Sequence, residues 1–177
     1  MGSTNVRGLS HLKLVSILEQ EEFDVLCLQE TWMAEHAAPL LLKGYKILEQ
    51  RRPTGARGGL ATYVRNSLHI ESTTGNEYCL QVKLKLPNSQ RVNIANVYMP
   101  PASSLAKRDI TEAHATAQLE HALEGIQPQL LTILCGDFNA RIGTLTPTLD
   151  TTHPVRTACD AHVCPRAKWL MYICNLY

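Results

Sequence analysis

Phe23-Asp24-Val25-Leu26-Cys27-Leu28-Gln29-Glu30 is a short, nearly continuous apolar run that stops on a carboxylate. Apolar side chains at consecutive positions predict a strand buried on both faces, as in a core sheet covered by helices. Upstream, residues 8–22 place Leu9, Leu12, Leu14, Val15, Ile17 and Leu18 at helical spacing and end in Glu-Gln-Glu-Glu, which predicts an amphipathic helix. Downstream, a second helix is expected from Ala34 to Leu42, stopped at Lys43-Gly44.

Working outward, strands are expected at Tyr45–Glu49, Gly59–Val64, Glu77–Leu86 and Arg91–Tyr98. Gln81-Val82-Lys83-Leu84-Lys85-Leu86 alternates polar with apolar and predicts one solvated face. Pro87-Asn88-Ser89-Gln90 between two such strands reads as a hairpin turn. After Pro100-Pro101 the period changes: Ser103 to Gln127 predicts one long helix or two, Leu130–Phe138 another buried strand, and Arg166–Tyr177 a final helix. Hairpin neighbours imply antiparallel pairing and helix-separated strands imply parallel pairing. The expected fold class is therefore α/β, a two-sheet sandwich of mixed strands flanked by helices.

Composition sets the outer limits. The chain has 177 residues, 45% hydrophobic and 19% charged, with a formal net charge of +1. These values predict a single globular domain over 1–177 and exclude a disordered polyelectrolyte. No apolar run is long enough for a membrane span, and Met1-Gly2-Ser3-Thr4-Asn5-Val6-Arg7 lacks the apolar region of a signal peptide, so a soluble intracellular domain is expected. Nucleic-acid binding, given this charge, must rest on a local patch. Cys27, Cys79 and Cys135 sit in apolar stretches and read as free, buried thiols of a reducing compartment. Cys159-Asp160-Ala161-His162-Val163-Cys164 lacks paired CxxC spacing and reads as a loop rather than a zinc site.

Polar groups stand at the ends of the apolar strands: Glu30, then Asn96 and Tyr98, then Asp137 and Asn139. A rigid sheet fixes the backbone there while the side chain reaches a crevice. Strand alternation puts Asn96 with Tyr98 on one face, and Asp137 with Asn139 on one face.

Five blocks, in order, carry a family resemblance: Asn5-Val6-Arg7-Gly8-Leu9, Asp24-Val25-Leu26-Cys27-Leu28-Gln29-Glu30-Thr31-Trp32, Gly58-Gly59-Leu60-Ala61-Thr62-Tyr63-Val64, Asn96-Val97-Tyr98-Met99-Pro100-Pro101 and Gly136-Asp137-Phe138-Asn139-Ala140. Together they resemble the endonuclease/exonuclease/phosphatase superfamily, and most of all the apurinic-type endonuclease domain of LINE-type (non-LTR) retrotransposons. The resemblance implies a DNase I-like fold and phosphodiester hydrolysis with Mg²⁺ or Mn²⁺. It implies that Glu30 holds the metal with Asn5 beside it, and that Tyr98 contacts the scissile phosphate. It also implies that Asp137 and Asn139 orient the attacking water and the phosphate. Whether Asp137 takes a proton from water or gives one to the leaving group stays open. DNA is the implied partner, alongside a reverse transcriptase domain in a full-length polyprotein, with nuclear action.

For DNA contact, Arg57, Arg141 and Asn96 are the expected residues, with Arg51, Arg52, Arg65, Lys107 and Arg108 as further candidates for a phosphate-positioning face. One departure from the family pattern stands out. Relatives end in a Ser-Asp-His block, and no serine follows Ser104 here. The resemblance then implies a domain missing its C-terminal strands, and nicking that is weak or absent in this chain alone. The alternative from another class is a catalytically dead nucleic-acid-binding or interaction remnant of the same fold. A phosphatase-like or sphingomyelinase-like relative is a third possibility.

Overall fold

The computed structural model describes residues 1–52, 58–126, 130–143, 145 and 161–176. The chain divides into two compact units, Met1–Phe138 and Asn139–Tyr177. The first unit holds two four-stranded sheets. In chain order its elements are β1 (Gly2–Asn5), α1 (His11–Gln20), β2 (Val25–Gln29), β3 (Tyr45–Gln50), β4 (Leu60–Arg65), β5 (His69–Asn76), β6 (Cys79–Lys85), β7 (Arg91–Tyr98), α2 (Ala102–Ala106), α3 (Glu112–Leu123) and β8 (Leu131–Asp137). Sheet order is β1-β2-β4-β3 in one and β5-β6-β7-β8 in the other. This is the mixed α/β sandwich of the DNase I-like fold.

The Phe23–Glu30 run behaves as its pattern predicts. Every residue of β2 is buried. Val25 and Cys27 pack with Val64, Val82, Leu84, Val92 and Ile94 between the sheets. Leu26 and Leu28 join Leu14 of α1, with Val6, Ala61 and Tyr63, on the opposite face. Alternate side chains of one strand thus feed two cores, which is why the run is apolar throughout. Ser10 starts α1 as an N-cap, its hydroxyl accepting the Lys13 N–H.

Pairing directions follow the connections. β1 pairs parallel with β2 across α1, and β7 parallel with β8 across α2 and α3. β2–β4, β3–β4, β5–β6 and β6–β7 are antiparallel. Each parallel pair needs a crossover helix, and each brings two strand C-termini together. Asn5, Gln29, Tyr98 and Asp137 are those four termini. The 87–90 stretch makes the expected hairpin turn, with Ser89 N–H donating to the Leu86 carbonyl from a left-handed Ser89.

Several sequence expectations need correction. Ala34–Leu42 is not helical; Ala34–Ala37 form a turn, and the Arg51 guanidinium donates to the Ala34, Glu35 and Ala37 carbonyls. Pro39 explains this, since it supplies no N–H and disfavours helical backbone at Ala38. The 103–127 stretch, by contrast, is within its expectation of one helix or two: it forms α2 and α3, separated around Asp109, whose φ is +56°. Gln81 is not solvated but 5% exposed, because α3 covers it: its amide donates to the Ala122 carbonyl and its oxygen accepts from Asn93. Two strands escaped the pattern. β1 is a short polar edge strand, and β5 is largely exposed; both are held by ladder bonds rather than by apolar alternation.

The unit Asn139–Tyr177 contains α4 (Pro165–Leu176), with Arg166, Ala167 and Ile173 buried. Proline suits a first helical position, where its missing N–H has no partner to lose. Arg141 and Cys164 are tied to each other, the Cys164 N–H to the Arg141 carbonyl at 3.0 Å and the Arg141 N–H to the Cys164 sulfur at 3.2 Å. Cys159 lies outside the described residues. Among the described residues no group of three His, Cys, Asp or Glu is placed to share a metal, and no helix is long and apolar enough to cross a membrane.

Candidate active site

The strand C-termini carry the chemistry. Asn5 Nδ2 donates to Glu30 Oε1 at 3.0 Å and to Asp137 Oδ2 at 2.7 Å. The Arg7 N–H donates to Asn5 Oδ1 at 3.1 Å, which fixes which end of the amide is the donor. The Tyr98 hydroxyl donates to Glu30 Oε1 at 2.9 Å. Tyr98 and Asp137 are direct neighbours in the β7–β8 register, and Asn5 pairs with Gln29, next to Glu30. Two carboxylates from different sheets therefore converge on one amide.

Backbone strain holds this arrangement. Glu30 is left-handed, with φ +54°, as are Arg7 at +45° and Trp32 at +53°. Side-chain-bearing residues enter this region at a cost, of order 1–3 kcal/mol each, so the surroundings must over-determine them. They do: Val6, Gly8 and Leu9 N–H groups donate to the Gln29, Glu30 and Thr31 carbonyls. The Lys13 ammonium then gathers the carbonyls of Val6, Arg7 and Gly8. Thr31 and Trp32 N–H groups reach the Gly59 and Gly58 carbonyls.

Tyr98 is 4% exposed. Burial, reinforced by its bond to Glu30 and the charges of Glu30 and Asp137, raises its phenol well above the ordinary value, with Arg52 opposing. The hydroxyl thus stays a proton donor across the physiological range. Arg52 lies 5.9 Å over the rings of both Tyr78 and Tyr98. Glu77 sits 3.8 Å from Arg52 and 3.0 Å from Arg108. Burial raises the Glu77 carboxyl, but the Tyr78 hydroxyl and the two guanidiniums outweigh it and hold Glu77 below the usual carboxylate value.

A cavity of about 380 Å³ opens beside these groups, lined by Arg7, Glu30, Trp32, Arg52, Tyr98, Pro100, Pro101, Ser104 and Arg108. No histidine lines it among the described residues. Arg7, Trp32 and Ser104 were not among the sequence candidates. Their signal is adjacency to the quoted blocks, which does not distinguish them from spacers.

Other expected residues are placed differently. Asn96 is fully buried. Its oxygen accepts from Gln29 at 2.7 Å, and its amide reaches the Leu28 and Ala61 carbonyls and the Thr62 hydroxyl. It is a bridge between the sheets and has no surface to offer DNA. Changing Asn96 to alanine should destabilise the fold by roughly 2–4 kcal/mol through the buried partners left behind. Denaturant unfolding checks this; a weakened DNA affinity with unchanged stability would reverse the assignment. Arg52 is buried rather than on the surface. Arg51 pairs with Glu49, and Arg65 with Glu22 and Asp24 over the Tyr45 ring, so both serve structure. Arg57 lies outside the described residues. Asn139 follows the end of β8 with φ +46°, so strand alternation does not relate it to Asp137. Arg141 is exposed within the second unit.

Comparison with known proteins bears on this geometry. Residues 2–159 match the model of the Endonuclease/Exonuclease/phosphatase family. A search of curated proteins finds no significant match. Among solved structures, an AP endonuclease from Archaeoglobus fulgidus is similar at TM-score 0.59 and 20% identity, over 82% of this chain and 60% of its own. The 3′-5′ exonuclease NExo from Neisseria meningitidis is similar at TM-score 0.63 and 18% identity, over 99% of this chain and 70% of its own. A variant of the Neisseria 3′ phosphatase NExo bound to a product DNA hairpin is similar at 0.54 and 18%, over 80% and 58%. At these identities the likeness shows the shared fold, and the chain spans about 60% of the length of the first of these proteins.

Proposed function

The chain belongs to the endonuclease/exonuclease/phosphatase family, and on that footing we propose that it acts on DNA, as a metal-dependent phosphodiesterase-like domain that nicks one strand. The observation that carries this reading is that Asn5 bridges Glu30 and Asp137 while the Tyr98 hydroxyl donates to Glu30, with Glu30 and Tyr98 on the wall of a cavity also lined by Arg7, Arg52 and Arg108.

The donor set fits a hard divalent cation such as Mg²⁺ or Mn²⁺. Such ions take one or two carboxylates and keep waters or substrate phosphate oxygens for the rest. Glu30 suits the role because Oε1 is occupied by Asn5 and Tyr98 while Oε2 accepts no hydrogen bond among the described residues. Asn5 would stand beside the ion. When bound, the ion would supply Lewis-acid polarisation of the phosphoryl oxygen and charge neutralisation at the leaving oxygen.

The protein's own groups do the positioning. Tyr98, kept protonated, has a single O–H, held by Glu30 at 2.9 Å, which in this reading turns to a phosphate oxygen as charge builds there. Asp137 is held by Asn5 at the end of β8, where a carboxylate can orient water or exchange a proton with the leaving group. Asn139, for the phosphate, and Arg141 and Arg57, for the DNA backbone, are the further contact residues that the family resemblance suggests. The retroelement assignment is the finer part of the proposal: the nick leaves a 3′ hydroxyl that a reverse transcriptase domain extends, in the nucleus. The NVRGL and LQETW blocks support it.

Supercoiled plasmid tests the reading. Slow conversion to open circle is expected with Mg²⁺ or Mn²⁺ and none with EDTA, the nicks being extendable by a reverse transcriptase. Salt-sensitive binding without metal-dependent turnover would favour the binding remnant instead. Phosphate release from small esters in place of nicking would favour a phosphatase-like relative.

A further inference from the structure

Trp32 is held in place and at the same time partly open to solvent. The residue is 38% exposed, yet its backbone is left-handed, with φ +53°. A tryptophan whose only task was burial would be expected to lie deeper and in an unstrained conformation. Instead the structure fixes it in place. Its backbone N–H donates to the Gly58 carbonyl at 2.9 Å, and the indole lies so close over Gly8 that a Cβ there would meet Cε3 at 2.9 Å. Gly8 is itself at φ +93° and bonded to the Glu30 carbonyl, so ring and carboxylate share one support.

The cavity that Trp32 borders joins three guanidiniums, from Arg7, Arg52 and Arg108, to Glu30 and Tyr98, with Pro100 and Pro101 completing an apolar wall. At about 380 Å³ it falls in the size range of sites for small organic molecules, more room than a phosphate group alone requires. Cations with a rigid aromatic surface match the two parts of a nucleotide, its phosphate and its base.

We propose that Trp32 is a stacking platform for the nucleobase adjoining the scissile phosphate, so that the preferred substrate is a nucleic-acid strand with an unpaired nucleotide at that position. This rests on the nicking reading given above. It adds a binding residue that selects flexible or single-stranded sites over fully stacked duplex, and over small phosphate esters that carry no base.

The test uses the full chain and short single-stranded DNA carrying 2-aminopurine at successive positions, in EDTA so that binding is read without turnover. One position should be strongly quenched by stacking. Trp32→Ala should raise Kd about tenfold, the scale of one base–aromatic stack, and Trp32→Phe should retain most of the affinity. An oligonucleotide with an abasic spacer at the quenched position should bind wild type and Trp32→Ala alike. Unchanged affinity in Trp32→Ala overturns the platform, as does an equal loss on the base-bearing and abasic strands, which would mark a change in folding or phosphate contact. Cleavage of the same strands in Mg²⁺ separates the two levels. Wild type that cleaves, with no Trp32 effect, overturns the platform alone. Wild type that neither binds nor cleaves overturns the nicking reading and the platform together.

Discussion

Glu30→Gln is expected to lower metal-dependent nicking by about a hundredfold or more while leaving the melting temperature nearly unchanged. The substitution preserves shape, and the amide oxygen can still accept from Tyr98, whose hydroxyl lies 2.9 Å from Glu30 Oε1. The left-handed backbone of Glu30 is equally strained with either side chain. What disappears is the negative charge that would hold a divalent cation, so titration with Mn²⁺ should show weakened binding in parallel with the lost activity. Glu30→Ala should lose as much activity but also some stability, because Asn5 and Tyr98 both lose an acceptor. Nicking by Glu30→Gln within about threefold of wild type would remove the metal role from this carboxylate.

Gly136→Ala carries the largest expected cost to the fold. Gly136 has φ +137°, and a Cβ built there would lie 1.9 Å from the Val97 carbonyl oxygen. The obstacle is backbone, and Val97 pairs directly with Gly136 in the β7–β8 register, so neither side can yield without opening the ladder. Backbone strain together with lost pairing should cost roughly 3 kcal/mol or more. For a chain of this size that is a fall in Tm of about 10 °C, measurable by thermal unfolding. Because Asp137 is the next residue and Tyr98 its register partner, cation affinity should fall as well. A variant with unaltered Tm would show that the β7–β8 pairing is looser than the structure indicates.

Some of this was legible in the chain. The double-sided burial of β2 follows from its unbroken apolar run, and α1 from Leu14, Ile17 and Leu18 on one face, because both are periodicities local to the sequence. β5 and β1 were not legible: their residues satisfy ladder hydrogen bonds while exposing most side chains, and pattern follows burial. Pro39 was readable as a helix breaker, yet the apolar residues around it concealed a turn held by Arg51.

The site divides along the same line. Glu30, Tyr98 and Asp137 declare themselves as polar endings to apolar strands, and strand ends are a local property. Asn96 has the same appearance but is a buried bridge to Gln29, Thr62 and the Leu28 and Ala61 carbonyls. Only the facing sheet distinguishes the two outcomes. Arg52 likewise looks like a surface cation until the rings of Tyr78 and Tyr98 enclose it.

The sequence by itself determined the α/β sandwich and the strand ends on which chemistry is possible, because periodicity and turn residues act over a few positions. Tertiary structure alone decided that Asn5 meets Asp137, 132 residues away, and that Trp32 stands beside Glu30 at the cavity wall. Those meetings depend on two parallel crossovers that bring four strand termini together, and no stretch of sequence short enough to show a pattern contains both partners.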